Sequence, residues 1–258
     1  MPIDFHAEHN RYTYTTRTAD PSWTRIITSI VNPRGKRVID IGCGGGIYSQ
    51  AWIQLGAAQV IGIDFSEQMV QAATERLSGI AHLTFQHGDA TATGLRTGCA
   101  DIVFARAVLH HVADLATCFN EAYRLLAPQG IYLIQDRTLD DVELAGSREH
   151  LRGYFFARFP RLLAIEAARR PRHEDILSRL EAAGFVTPAA MTFWETRQEY
   201  PNFATFAQEL KGRTGRSILH ELTDAELTEL VAFIATQIPH DEPIVEKDRW
   251  TLWRAMRP

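Results

Sequence analysis

The chain has 258 residues, 45% of them hydrophobic and 22% charged, the balance of a globular protein with a sizeable core. A formal net charge of −4 supplies no general basic field, which gives little support to a DNA- or RNA-wrapping surface. Three cysteines, Cys43, Cys99 and Cys118, have no paired or metal-like spacing and suit a reducing compartment. The opening MPIDFHAEHNRY has no apolar core of signal-peptide type, and no window approaches the ~18 apolar residues of a membrane span. The expectation is a cytoplasmic monomer or homodimer with neither membrane nor nucleic acid as partner.

Strand and helix signals alternate along the chain. RVIDIG (37–42) reads as a short apolar strand, followed by a helix from Gly46 to Leu55 that Gly56 stops. QVIGID (59–64) is the second strand, and Ser66 caps the helix EQMVQAATERL, with Gly79 past its end. LTFQHGD (83–89) and ADIVFARA (100–107) are the third and fourth strands. Asp114 caps LATCFNEAYRLLA, which Pro128 and Gly130 are expected to end before the fifth strand, IYLIQD (131–136). Buried strands alternating with helices imply a parallel sheet covered by helices.

The later half changes character. RHEDILSRLEAAGF is an amphipathic helix with Gly184 near its end, and MTFWETRQEY and IVEKDRWTLWRAM then alternate apolar and polar residues, as strands with one wetter face do. Two helical insertions interrupt them, at 139–170 and 202–240, the second with a capping box at Thr223 and Glu226. The expectation is one domain over 1–258: a helical cover (1–34), a ligand-binding core (36–138) and these two caps.

VIDIGCGGG raises the functional question. A strand, a glycine turn and a helix aim backbone N–H groups at a ligand. The dinucleotide fingerprint G-x-G-x-x-G fails, because Ile47 stands where the third glycine belongs. The glycines form G-x-G-x-G instead, at Gly42, Gly44 and Gly46, with Asp40 before them and Asp64 ending the next strand, placed for ribose hydroxyls.

From Lys36 to Gln135 the chain resembles the class I S-adenosylmethionine-dependent methyltransferases of small-molecule type (the type 11/25-like group). VIDIGCGGG, with Asp40, Gly42, Cys43, Gly44 and Gly46, is similar to the motif that wraps the methionine part of the cofactor. GIDFSEQM is similar to the second motif, in which Asp64 binds ribose and Phe65 and Met69 line the adenine. HGDA is similar to the third, giving Asp89 and Ala90 to the adenine, and ARAVLHHV, with Arg106, to the segment after strand four. HNRYTYTTRTADP resembles a segment that folds over the cofactor, with Tyr12, Tyr14 and Arg17 near the methionine carboxylate. The resemblance implies an α/β, Rossmann-like, seven-stranded mostly parallel sheet with an antiparallel C-terminal strand, helices on both faces and helical cap insertions. It implies S-adenosylmethionine as cofactor and methyl transfer to a small-molecule acceptor.

Each residue also has a plainer reading. The glycines can serve a tight turn alone, Asp64 can neighbour the Ser66 cap, Asp89 can be a turn residue, and Phe65 and Met69 can be core. Cys43 reads as a small loop residue and not a nucleophile. Adjacent His110 and His111 point apart on a helix with no third ligand nearby, so a metal is not expected; the resemblance implies that they form a wall of the active site, or that one is a base. In the first insertion, Arg152 and Phe155 are candidates to meet the acceptor, against a reading in which the aromatics pack and the arginines are solvated. A non-catalytic cofactor-binding partner protein is the rival function.

Overall fold

The computed structural model describes residues 18–258, so Tyr12, Tyr14 and Arg17 lie outside the described residues. In chain order the elements are α1 (Pro21–Ile30), β1 (Arg37–Ile41), α2 (Ile47–Gln54), β2 (Gln59–Asp64), α3 (Glu67–Arg76), β3 (Leu83–His87), β4 (Ala100–Arg106), α4 (Leu115–Leu125) and β5 (Leu126–Asp136). Then follow α5 (Leu139–Val142), α6 (Gly153–Arg158), α7 (Arg161–Arg169), α8 (His173–Ala182), β6 (Val186–Tyr200), α9 (Phe203–Lys211), α10 (Asp224–Ala235) and β7 (Ile244–Met256). The strands form one seven-stranded sheet in the order β3-β2-β1-β4-β5-β7-β6, parallel from β3 to β5, with β7 antiparallel to β5.

The described residues fall into two compact units. The first takes 18–136, Pro171–Thr192 and Thr251–Pro258; the second takes Arg137–Arg170 and Phe193–Trp250. The second unit thus holds both expected insertions, the end of β6 between them and the start of β7 after the second. Each unit has its own apolar core, which is why each is compact. The first core includes Ile39, Val103, Phe119 and Trp253; the second includes Leu151, Phe155, Phe206 and Leu230.

Caps set the helix boundaries as the residue types dictate. Ser66, Asp114 and Thr223 each accept a hydrogen bond from the backbone N–H three residues on. Two boundaries differ from expectation. α4 ends at Leu125, and Pro128 and Gly130 lie inside β5, where the pairing with β4 shifts register between Ala100 and Ile102. A proline is tolerated at such an irregularity because the ladder is already interrupted. β6 begins at Val186, five residues before the expected start at Met191. It is the last strand of the order, so Pro188 costs the sheet no central hydrogen bond, and its first residues are too exposed to alternate in hydropathy.

Candidate cofactor site at the carboxyl edge of the sheet

In the first unit the register brings four strand ends level. Ile41 pairs with Ile63 and with Ala105, and Ala105 with Ile134. One residue further along each strand stand Gly42, Asp64, Arg106 and Gln135, on the edge where open α/β sheets bind ligands.

Between β1 and α2 the chain turns through Gly42, Gly44 and Gly46 at φ of 70°, 50° and 77°. The turn is tied down from three sides. The Gly42 and Cys43 amides both donate to the Ile63 carbonyl, at 2.7 and 3.0 Å. The Gly44 amide donates to Asp64 Oδ2 at 2.8 Å, and the Arg76 guanidinium donates twice to the Gly45 carbonyl. Asp64 Oδ1 accepts from the Ser66 amide at 3.0 Å.

Asp40, 2% exposed, accepts from Ser49 Oγ at 2.5 Å, so it faces the base of α2. Burial pushes its carboxyl up to about 7, with Asp64 adding to the rise and Ser49 and Arg106 opposing it. Cys43 is buried too, and burial beside Asp64 and Asp40 holds its thiol well above the ordinary range, the reverse of what a nucleophile needs.

The adenine candidates divide. Phe65 is 42% exposed beside Asp64, whereas Met69 is 2% exposed and packs the core. Asp89 is exposed and accepts from the Thr91 amide at 2.7 Å and from Thr91 Oγ1 at 2.5 Å, which lowers its pKa. The local role of its carboxylate is therefore a turn; Ala90 beside it is half-buried.

Arg106 lies with its guanidinium carbon 4.2 Å from the ring centroid of Tyr48 on α2. Tyr48 in turn meets Trp23 of α1 at 5.0 Å, and Trp23 Nε1 donates to Gln135 Oε1 at 3.0 Å. His110 sits in a short 3-10 turn, Leu109–His111, with Nδ1 3.1 Å from Asp136 Oδ2; its side chain is 5% exposed and that of Asp136 1%. His111 is exposed, its ring centroid 4.0 Å from that of His110. Among the described residues no three His, Cys, Asp or Glu side chains converge as a metal site requires. Tyr48, Gln135 and Asp136 were not anticipated from the sequence. The available signal for Asp136 was its place at the end of a central strand.

Within the second unit, Arg152 and Phe155 take roles other than those expected. Phe155 is fully buried in that unit's core and has no surface to offer an acceptor. Arg152 is also buried, its Nε donating to Asp248 Oδ1 at 3.1 Å. Arg137 approaches the same carboxylate at 3.4 Å and lies over the Trp250 ring. Burial and the neighbouring Arg152 lower Arg137 to about 9. Nearby in the same unit, Arg216 donates to Glu246, Tyr200 and Glu209, all inside hydrogen-bonding distance.

The first unit sets a carboxylate, an exposed aromatic next to it and a positive-φ turn against it, residue types that fit a ribosyl, adenine-bearing ligand. Comparison with known proteins agrees. Residues 39–134 match the family model described as a methyltransferase domain. A ubiquinone biosynthesis O-methyltransferase of Psychrobacter arcticus is 30% identical over 161 residues, covering 61% of this chain and 56% of the relative. A trans-aconitate 2-methyltransferase of Acidovorax is 30% identical over 132 residues, covering 51% and 46%. The chain thus spans about half the length of these curated relatives. Among solved structures, a Haemonchus contortus N-methyltransferase bound to phosphomonomethylethanolamine and S-adenosylhomocysteine superposes with a TM-score of 0.64 at 19% identity, covering 99% of this chain and 61% of that one. An S-adenosylmethionine-dependent methyltransferase from Mesorhizobium loti gives 0.53 at 20% identity, covering 92% and 97%. The segment from β1 to β5, residues 39–134, is thus similar to a methyltransferase domain, and the strand order around it is shared with solved methyltransferase structures.

Proposed function

We propose that the chain binds S-adenosylmethionine at the β1–β2 edge and transfers its methyl group to a small-molecule acceptor. The observation that carries this reading is the placement of the Asp64 carboxylate against the Gly44 amide, beside the exposed ring of Phe65. When bound, the cofactor supplies a methyl carbon activated by a sulfonium. The chain's own contribution is to bind and orient. Asp64 accepts from ribose hydroxyls, Phe65 covers the adenine face, and Arg106, held against Tyr48, meets the methionine carboxylate. Holding the two reactants in line is worth ~7–11 kcal/mol of the barrier.

The acceptor is a metabolite and not a nucleic acid. Six of the arginines between Arg148 and Arg172 face carboxylates: Arg148 meets Glu242, Arg152 meets Asp248, Arg158 meets Glu229, Arg161 meets Glu226, and Arg169 and Arg170 share Glu166. Paired arginines release few counterions from a phosphate backbone. Curated relatives named for quinone and tricarboxylate chemistry support the same class.

The test is transfer of isotopically labelled methyl from S-adenosylmethionine into a pooled metabolite extract, read together with S-adenosylhomocysteine. Both products in equal amount are expected. Binding of S-adenosylmethionine with neither product would make the chain a non-catalytic binder.

A further inference from the structure

The peptide between Gly45 and Gly46 is gripped at both ends. Its N–H, on Gly46, donates to the Cys43 carbonyl at 2.9 Å. Its carbonyl, on Gly45, accepts from Arg76 twice, from Nη2 at 2.7 Å and from Nε at 3.2 Å. The first bond lies within the turn itself. The second comes from another element, because Arg76 is the last residue of α3.

The residue types explain why this peptide needs a grip. Glycine stands on both sides of it, and glycine takes positive and negative φ about equally well. A flip of the peptide plane, carried by ψ of Gly45 and φ of Gly46, therefore meets no Cβ of either residue. No side chain caps α2 at Gly46. The planes before it are fixed differently, their amides at Gly42, Cys43 and Gly44 donating to Ile63 and Asp64 of β2. The end of α3 is also pressed against the turn: a Cβ added at Gly46 would lie 2.8 Å from Leu77 Cδ1. Arg37 and Arg124 of the same unit each face a carboxylate, Asp101 and Glu121, whereas Arg76 directs two N–H groups at one neutral carbonyl. Burial lowers its pKa, so the cation gives up water for this contact.

We infer that Arg76 is a positioning residue for the cofactor, keeping the glycine turn in the conformation that receives the amino-acid end of S-adenosylmethionine. The inference rests on the proposed cofactor reading. Arg76 acts through the Gly45 carbonyl and forms no bond to the cofactor itself. Without it the observed turn becomes one of two populations, and the apparent affinity falls in proportion to the fraction that stays competent. Ribose and adenine are assigned to Asp64 and Phe65, so a ligand lacking the amino-acid end is spared.

The test compares the unaltered chain with Arg76→Met and Arg76→Lys. Each is titrated with S-adenosylhomocysteine and with 5′-methylthioadenosine, which lacks the amino-acid end. Exchange of the Gly46 amide hydrogen is followed by NMR in the ligand-free proteins. Arg76→Met is expected to bind S-adenosylhomocysteine roughly tenfold more weakly and 5′-methylthioadenosine within about twofold of the unaltered chain. Its Gly46 amide should exchange roughly tenfold faster, since the flipped plane leaves the Cys43 carbonyl. Arg76→Lys, whose ammonium meets the carbonyl with a single bond, should fall between the two. If Arg76→Met does not fold, the same comparisons are read in Arg76→Lys, where a smaller loss confined to S-adenosylhomocysteine is expected. Unchanged S-adenosylhomocysteine affinity in a folded Arg76→Met protein, an equal loss for both ligands, or unchanged exchange at Gly46 overturns the inference. Failure of the unaltered protein to bind S-adenosylhomocysteine would instead sink the cofactor reading, while the exchange rates still judge the grip on the turn.

Discussion

Val108 occupies the space that any side chain at Gly42 would need: a Cβ there would lie 2.0 Å from Val108 Cγ2. Gly42 also sits at φ +70°, so two separate requirements select glycine at this position. The neighbouring protein, and not only the ligand, dictates the motif.

Gly42→Ala is therefore expected to destabilise the fold before it touches binding. The left-handed backbone and the overpacking against Val108 together cost about 2–4 kcal/mol. Chemical denaturation without cofactor checks this. A stability equal to that of the unaltered chain would mean that the glycine answers to the cofactor alone.

The buried Asp40 makes stability depend on pH. Its folded carboxyl is raised to about 7 by burial, against an ordinary value of 3.8. A raised carboxyl binds its proton more tightly when folded, so its contribution is full below ~4 and is lost as pH climbs to ~7. The loss is on the order of a few kcal/mol across that window. Asp40→Asn, which carries no titrating proton, should flatten this part of the stability profile measured by urea titrations from pH 4 to 8.

In the second unit, Arg216 anchors a buried cluster. It is 1% exposed and donates to Glu246 Oε2 at 2.6 Å, to the Tyr200 hydroxyl at 3.1 Å and to Glu209 at 3.0 Å. Arg216→Met leaves the buried Glu246 with the Tyr200 hydroxyl at 3.1 Å and Arg197 at 3.4 Å, and without its 2.6 Å partner. A loss of about 3–5 kcal/mol is expected in thermal or urea melts. Arg216→Met/Glu246→Gln should recover part of it, since the uncompensated charge is gone.

What the sequence made legible was local or periodic. Strands β1 and β2 read directly from apolar runs, and the caps at Ser66, Asp114 and Thr223 from residue type alone. The place of Asp64 at the end of β2 was legible because an apolar run ends there, at a fixed spacing after the glycine turn. Asp136 was not, because it meets His110 across 26 residues and nothing local marks the pair. Pro128 and Gly130 misled because the same residues end helices and mark strand irregularities. Arg152 and Phe155 misled for another reason: a mix of aromatics and arginines looks like a binding pocket, but here the unit has a core of its own to fill and carboxylates of its own to pair.

The most direct test of the central claim is calorimetric titration of the unaltered chain and of Asp64→Ala with S-adenosylhomocysteine and with NAD. The account predicts one saturable site for S-adenosylhomocysteine and none for NAD. It also predicts a loss of roughly 1–3 kcal/mol of binding in Asp64→Ala, whose ribose hydroxyls lose their carboxylate partner. Near-ultraviolet circular dichroism would establish that the variant stays folded, since Asp64 also holds the Gly44 and Ser66 amides. Equal affinity in a folded Asp64→Ala protein, or binding of NAD in place of S-adenosylhomocysteine, would contradict the account.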